Sequence, residues 1–86
     1  MELGHLNFLG YLAGFFTTLA FLPQVVKCWK TKKTKDISFL MFLIFVLGVF
    51  LWLIYGFLTY NLPIIIANLI TFVLSLSVLI AKLKYG

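Results

Sequence analysis

The chain has 86 residues, of which 64% are hydrophobic and 10% charged, and its mean hydropathy is +1.17. A soluble domain of this size buries too little of its chain to hide so much apolar surface, and it would carry about 25% charged residues. The composition therefore predicts a membrane protein whose solvent is the lipid bilayer. The net charge of +5 does not indicate a nucleic-acid partner, because lysines beside apolar spans mostly meet anionic lipid headgroups.

Two uncharged stretches determine the number of spans. Residues 6–26 carry no charge and suit one helix across a hydrocarbon core of about 30 Å. Residues 37–81 are about twice as long and are interrupted at "TYNLP", where Asn61 can cap a helix and Pro63 fits its first turn. The sequence predicts an all-α membrane protein with a single unit, residues 1–86, of three transmembrane helices at about 5–28, 37–59 and 62–83, a cytoplasmic loop at 29–36 and an outer turn at 60–62.

The first span contains a proline and a glutamine side by side. Pro23 leaves the carbonyl of Leu19 without its helical donor and favours a bend about one turn before the inner end. Gln24 carries an amide that can serve such freed backbone groups. Proline kinks are also ordinary structural features of membrane helices. Gly10 and Gly14 form a GxxxG pattern that permits close helix contact.

The lysines predict the orientation of the chain in its membrane. All seven basic residues are Lys, and they lie around the first loop and at the C-terminus: Lys27, Lys30, Lys32, Lys33, Lys35, Lys82 and Lys84. By the positive-inside rule the N-terminus is outside and the C-terminus is cytoplasmic. Because the lysines follow the first apolar run, we expect that run to be a retained span and not a cleaved signal peptide.

The second span has one face that combines aromatic residues with a glycine. Its members recur every three or four residues: Met41, Phe45, Gly48, Trp52, Tyr55 and Thr59. Close helix packing explains Gly48 and the neighbouring Gly56. It explains Trp52 less well, since a large ring two turns inside the outer end needs a cavity or a partner for its N–H.

The third span has a polar stripe of Asn68, Thr71 and Ser75. The two hydroxyls can bond to their own helix, but the amide of Asn68 has more donors and acceptors than its helix can satisfy. Counted from the outer turn, Trp52 and Asn68 differ in depth by about 3 Å. An indole ring and an amide at one level can bind a sugar, whereas a purely structural interhelical hydrogen bond by Asn68 remains the alternative.

Charged and reactive groups are sparse in the apolar part of the chain. An ion-coupling site usually needs an intramembrane carboxylate, so the uncharged spans favour facilitated diffusion, although His5 and Asp36 at the edges could titrate. Cys28 is a lone thiol and His5 a lone imidazole, so we expect no metal, no cofactor and no enzyme activity.

Three helices hardly enclose a path for a solute across the membrane. A second copy of the chain, related by a two-fold axis along the membrane normal, would close this path.

Three segments together are distinctive: "TTLAFLPQVVKCWKTKKTKDIS", "WLIYG" around Trp52 and "PIIIANLITF" around Asn68. With the 16-residue step between Trp52 and Asn68, they make the chain resemble the SemiSWEETs, bacterial half-size relatives of the SWEET sugar transporters among the PQ-loop proteins. The resemblance covers essentially the whole chain. It implies a parallel homodimer of three-helix bundles, six helices in all, in a bacterial inner membrane, which moves glucose- or sucrose-like sugars by alternating access without ion coupling.

The resemblance also implies roles for individual residues. Trp52 and Asn68 would bind the sugar, and Pro23 with Gln24 would be the hinge. The remaining implied residues form two constrictions: Phe21, Met41 and Phe45 at the inner one, and Tyr55, Thr59 and Asn61 at the outer one. Some relatives have an arginine and an aspartate where this chain has Thr59 and Asn61, so an outer gate closed by a salt bridge is not expected. A transporter of another small neutral solute, such as an amino acid, and a structural subunit remain the alternatives.

Overall fold

The structure is a computed structural model that describes residues 6–86. It contains three α-helices: α1 (Asn7–Thr31), α2 (Phe39–Leu58) and α3 (Leu62–Tyr85). Each is long and apolar enough to cross a membrane, which confirms the predicted all-α membrane fold. The predicted start of the first span at residue 5 lies outside the described residues. The other end of α1 lies three residues beyond the predicted one.

The two connections are short and end in side-chain caps. The hydroxyl of Ser38 accepts a hydrogen bond from the Met41 N–H at 3.1 Å and begins α2. The Oδ1 of Asn61 accepts from the Ile64 N–H at 3.2 Å and begins α3, so the capping role predicted for Asn61 is confirmed. Polar caps of this kind satisfy N–H groups that have no partner within the helix.

Helix α3 packs against both α1 and α2. Within residues 6–86, no Cα of α1 lies within 8 Å of a Cα of α2. A Cβ added to Gly10 would lie 2.8 Å from the Cβ of Pro63, and one added to Gly14 would lie 2.9 Å from the Cβ of Ala67. The GxxxG pattern therefore joins α1 to α3 inside one protomer, with the two helices running in the same direction.

One end of the bundle, which we call the lysine-rich end, contains a buried apolar cluster. Val25 and Cys28 of α1 are buried against Val78 and Ala81 of α3. Beside them the indole N–H of Trp29 donates to the hydroxyl of Ser77 at 2.6 Å. The α1–α2 loop is tied to the same end, because the ammonium of Lys82 donates to the carbonyl of the buried Thr34 at 2.9 Å.

The opposite end, which we call the turn end, holds the turn between α2 and α3. The protomer measures 48 × 22 × 14 Å and is a flat layer, with α3 in the middle and α1 and α2 on either side of it. Apolar side chains are exposed along all three helices. A layer this thin has two broad faces, and neither is covered within the protomer.

Candidate functional site

An aromatic cluster joins α1 to α2 across one broad face near the lysine-rich end. The ring of Phe21 stacks on that of Phe45, with centroids 6.3 Å apart and planes 8° from parallel. Phe42 meets both rings edge-on, at 6.4 Å and 6.3 Å. We call the broad face that carries the Phe21–Phe45 contact the open face, because only side chains bridge α1 and α2 there.

The cluster includes two of the three residues expected at the inner constriction. Phe21 and Phe45 come together, whereas Met41 is 60% exposed and takes no part in the aromatic contacts. The third ring of the cluster is that of Phe42. Phe42 could not be identified from the sequence, because every neighbour in this part of α2 is apolar and periodicity cannot single it out.

Trp52 lies on the open face two helical turns from Phe45 toward the turn end. Its spacing of seven residues from Phe45 keeps the two side chains on one stripe of α2. The indole is 56% exposed, and Tyr55 meets it edge-on with centroids 5.5 Å apart. The flat face of the indole therefore has no neighbour from α1 or α3 among these aromatic contacts.

Asn68 lines a cavity of about 250 Å³ on the open face, between α1 and α3. Thr17 and Thr71 line the same cavity. Ile64 also lines this cavity and contacts Gly56 of α2, and Thr17 lies one turn from Phe21 on α1, so the cavity lies on the face that carries the aromatic cluster. The Asn68 Nδ2 donates to the Ile64 carbonyl at 2.9 Å. This bond fixes the side chain and leaves Oδ1 and a second N–H for a ligand.

Trp52 and Asn68 lie at the same level of the bundle. Trp52 is six residues from the end of α2 at Leu58, and Asn68 is six residues from the start of α3 at Leu62. At about 1.5 Å per residue, each lies about 9 Å from the turn end. The structure thus places the two residues predicted to bind substrate on one face and at one depth.

The predicted hinge residues lie on the exposed part of α1. Pro23 is inside the continuous helix and lines an apolar groove of about 480 Å³ with Leu19 and Val26. Gln24 is exposed and lines a larger cavity of about 540 Å³ at the lysine-rich end. Gln24 therefore borders a cavity that it shares with Phe21 and Phe42 of the aromatic cluster.

The three residues predicted for the outer constriction have local partners. The hydroxyl of Thr59 donates to the Tyr55 carbonyl at 2.8 Å, and Asn61 caps α3. Tyr55 itself is half exposed beside Trp52. Both small polar side chains therefore stabilise helix ends in this protomer and do not meet across an opening. Within the described part of the chain, no group of three or more His, Cys, Asp or Glu could hold a metal ion.

Comparison with known proteins identifies the family. The family described as PQ loop repeat matches residues 6–65. A sugar transporter SemiSWEET of Leptospira biflexa is 49% identical over 93% of this chain and 94% of its own length. One of Bradyrhizobium diazoefficiens is 44% identical over 94% of each chain. A crystal structure of SemiSWEET in the inward-open conformation is 38% identical, covers 93% of each chain and superposes with a TM-score of 0.87.

These matches span nearly the full length of the relatives and agree in both sequence and fold. The three-helix bundle with its open face is therefore that of a membrane protein of the PQ-loop class. The chain belongs to the PQ-loop family and, within it, to the SemiSWEETs, which confirms the resemblance found in the sequence.

Proposed function

We propose that the protein is a sugar uniporter, a transporter without catalytic activity that moves mono- or disaccharides down their gradient by alternating access. The names of its relatives support sugar as the substrate. The observation that carries the proposal is the pairing of Trp52 and Asn68 on the open face. An indole presents a flat apolar surface to the C–H face of a pyranose, and the amide exchanges hydrogen bonds with its hydroxyls.

The contacts of these two residues argue against a purely structural role. A residue that holds helices together would bond to a neighbouring helix. Asn68 instead bonds to Ile64 in its own helix, and Trp52 meets Tyr55 in its own helix. Trp52 keeps an exposed indole on the open face, and Asn68 lines the cavity between α1 and α3, as a ligand site requires.

The electrostatics of the open face favour a neutral ligand. Around Asn68 the cavity is lined by small apolar residues and two threonines, with no charged residue among them. An amino acid would bring a carboxylate and an ammonium group, and desolvating them without charged partners is costly. A sugar carries hydroxyls and ether oxygens but no charge, so it fits a site made of an amide, hydroxyls and an aromatic ring.

The proposal requires a second copy of the chain. Two protomers in parallel, related by an axis along the membrane normal, would face each other with their open faces and enclose the sugar between two Trp52–Asn68 pairs. The lysine-rich ends would then lie together on the cytoplasmic side of a bacterial inner membrane, with the N-termini outside. Phe21, Met41 and Phe45 would close the inner side, Tyr55, Thr59 and Asn61 the outer side, and Pro23 with Gln24 would be the hinge.

Uptake of radiolabelled D-glucose and sucrose into proteoliposomes tests the proposal. We expect the wild type to equilibrate at least one of these sugars across the membrane. Trp52→Ala and Asn68→Ala should each slow uptake by tenfold or more, because about 1.4 kcal/mol of lost interaction energy corresponds to a factor of ten. Equal uptake by all three proteins would remove the assigned site.

A second tryptophan provides the matched control. Trp29→Phe removes the other indole, which lies at the lysine-rich end bonded to Ser77, and should leave uptake within about twofold because its ring still packs there. In that background Trp52 is the single tryptophan, so its fluorescence reports sugar binding directly. No change in Trp52 fluorescence at saturating sugar would contradict stacking of the ligand on the indole.

A further inference from the structure

The contact between α1 and α3 brings a threonine of α1 level with Asn68. Gly14 packs against Ala67, where a Cβ on the glycine would lie 2.9 Å from that of the alanine. Thr17 follows Gly14 by one turn, and Asn68 follows Ala67 directly. Because the two helices run in the same direction, Thr17 lies between Asn68 and Thr71 in depth, and all three line one cavity of about 250 Å³.

The hydrogen bonds in this cavity leave acceptors directed at a ligand. The Thr17 hydroxyl donates to the Gly14 carbonyl at 3.1 Å, and the Thr71 hydroxyl donates to the Ala67 carbonyl at 2.8 Å. A hydroxyl has one proton and two lone pairs. Each threonine therefore uses its proton within its own helix, and its oxygen can only accept. Thr17 is exposed on the open face, so its oxygen is accessible to a ligand.

We propose that Thr17 is a third substrate-positioning residue, whose hydroxyl oxygen accepts a hydrogen bond from a hydroxyl group of the bound sugar. The inference rests on the proposed function. It assigns the α1 wall of the site a specific task, since Trp52 belongs to α2 and Asn68 to α3. Acceptors from Thr17 and Thr71, with the amide of Asn68, match a polyol, which presents several O–H donors close together.

Thr18 provides a matched control on the same helix. It lines a different cavity of about 230 Å³, on the other side of the Gly14–Ala67 contact, with Tyr11 and Ile66. The two threonines are adjacent in sequence and have the same volume and the same helix propensity. Of these two threonines, only Thr17 shares a cavity with Asn68. Comparing the same substitution at both positions therefore distinguishes the loss of a ligand contact from the general effect of removing a hydroxyl.

Binding of D-glucose and sucrose, followed by Trp52 fluorescence in the Trp29→Phe background, tests the inference. We expect Thr17→Val to weaken binding by about two- to tenfold, the range for one lost neutral hydrogen bond. Thr17→Ser keeps the acceptor and should bind within about twofold of the parent, as should Thr18→Val. Equal affinity for Thr17→Val and Thr18→Val, with Asn68→Ala weakened, overturns the role of Thr17 and leaves the proposed function standing. A parent protein that binds neither sugar overturns both.

A series of deoxy sugars distinguishes positioning from a change in structure. The monodeoxy analogues of whichever sugar binds more tightly each lack one hydroxyl. One of them should lose affinity for the parent protein but show no further loss with Thr17→Val, because the partner hydroxyl is already absent. If the loss caused by Thr17→Val is the same for every analogue, the threonine acts on the structure alone and the inference is wrong.

Discussion

Gly48 and Gly56 lie two turns apart in α2, yet the structure gives them opposite surroundings. A Cβ on Gly56 would lie 2.9 Å from the Ile64 Cγ2 and 3.3 Å from the Ile65 backbone nitrogen. A Cβ on Gly48 would have no neighbour within 4 Å. Close helix packing therefore explains Gly56, as the sequence indicated, but it does not explain Gly48 within one protomer. Gly48 instead leaves space on the stripe that carries Phe45 and Trp52.

Alanine at each glycine tests this difference. Gly56→Ala forces a methyl group against the α3 backbone and should destabilise the protein by about 1–3 kcal/mol, the usual cost of overpacking. Gly48→Ala meets open space and should leave stability unchanged or raise it by up to about 1 kcal/mol, since alanine is the better helix former. Thermal unfolding in detergent, followed by tryptophan fluorescence, measures both. A lower melting temperature for Gly48→Ala than for Gly56→Ala would contradict these assignments.

The residues that could be identified from sequence are those whose chemistry does not fit an apolar helix. Trp52 and Asn68 stand out because an indole N–H and an amide need partners in lipid, and in the structure they lie on one face at one depth. Phe42 and Thr17 could not be identified in this way. A phenylalanine is ordinary in a membrane span, and a threonine satisfies its own proton, so their places depend on which helices pack together.

At the scale of the helix, α1 consists of two parts with different attachments. The part before Pro23 contacts α3 through Gly10 and Gly14. The part after Pro23 is fastened to the end of α3 by buried side chains, including Cys28, and by the bond from Trp29 to Ser77. Both parts are thus attached to one continuous helix, so a bend at Pro23 requires α3 to bend with it or one of these contacts to loosen.

Pro23→Ala tests the hinge. Proline provides no N–H for the carbonyl of Leu19, so the helix bends there at low cost. Alanine restores that hydrogen bond, which stabilises the unbent helix by about 1 kcal/mol. We therefore expect Pro23→Ala to slow sugar exchange across the liposome membrane about fivefold and to leave the affinity for sugar within about twofold. Counterflow uptake measures exchange, and Trp52 fluorescence measures affinity. Unaltered exchange, or a loss of affinity as large as the loss of rate, would argue against a hinge at this position.

The number of helices could be predicted because lipid requires long uncharged runs, and the turn at Asn61 could be predicted because its cap is local. The end of α1 could not. Lysines from Lys27 onward indicated that the span was ending, yet the helix continues to Thr31. Trp29 holds this last turn in place through its bond to Ser77, which is 48 residues further along the chain. A contact over that distance leaves no local pattern in the sequence.

At the scale of the whole molecule, the protomer has a lipid-suited face and an open face. Exposed apolar residues of α3 recur at helical spacing on the side away from the open face: Ile66, Leu69, Val73 and Ile80. The open face carries Thr17, Trp52 and Asn68, whose polar groups are costly to expose to lipid. This asymmetry predicts that the second copy covers the open face and that the α3 stripe meets the bilayer.

Cysteine cross-linking distinguishes the two faces. The single native cysteine, Cys28, is buried between α1 and α3 and can be replaced by alanine to give a cysteine-free background. Met41→Cys then places a thiol on the open-face stripe near the lysine-rich end, and Ile80→Cys places one near the same end on the α3 stripe. A disulfide needs the two Cα atoms within about 7 Å of each other. If the parallel dimer joins the open faces, mild oxidation in membranes should therefore cross-link the Met41→Cys protein into dimers far faster than the Ile80→Cys protein. Non-reducing gel electrophoresis measures the rates. Faster linking of Ile80→Cys would place the interface on the back of α3 and would leave Trp52 and Asn68 facing lipid.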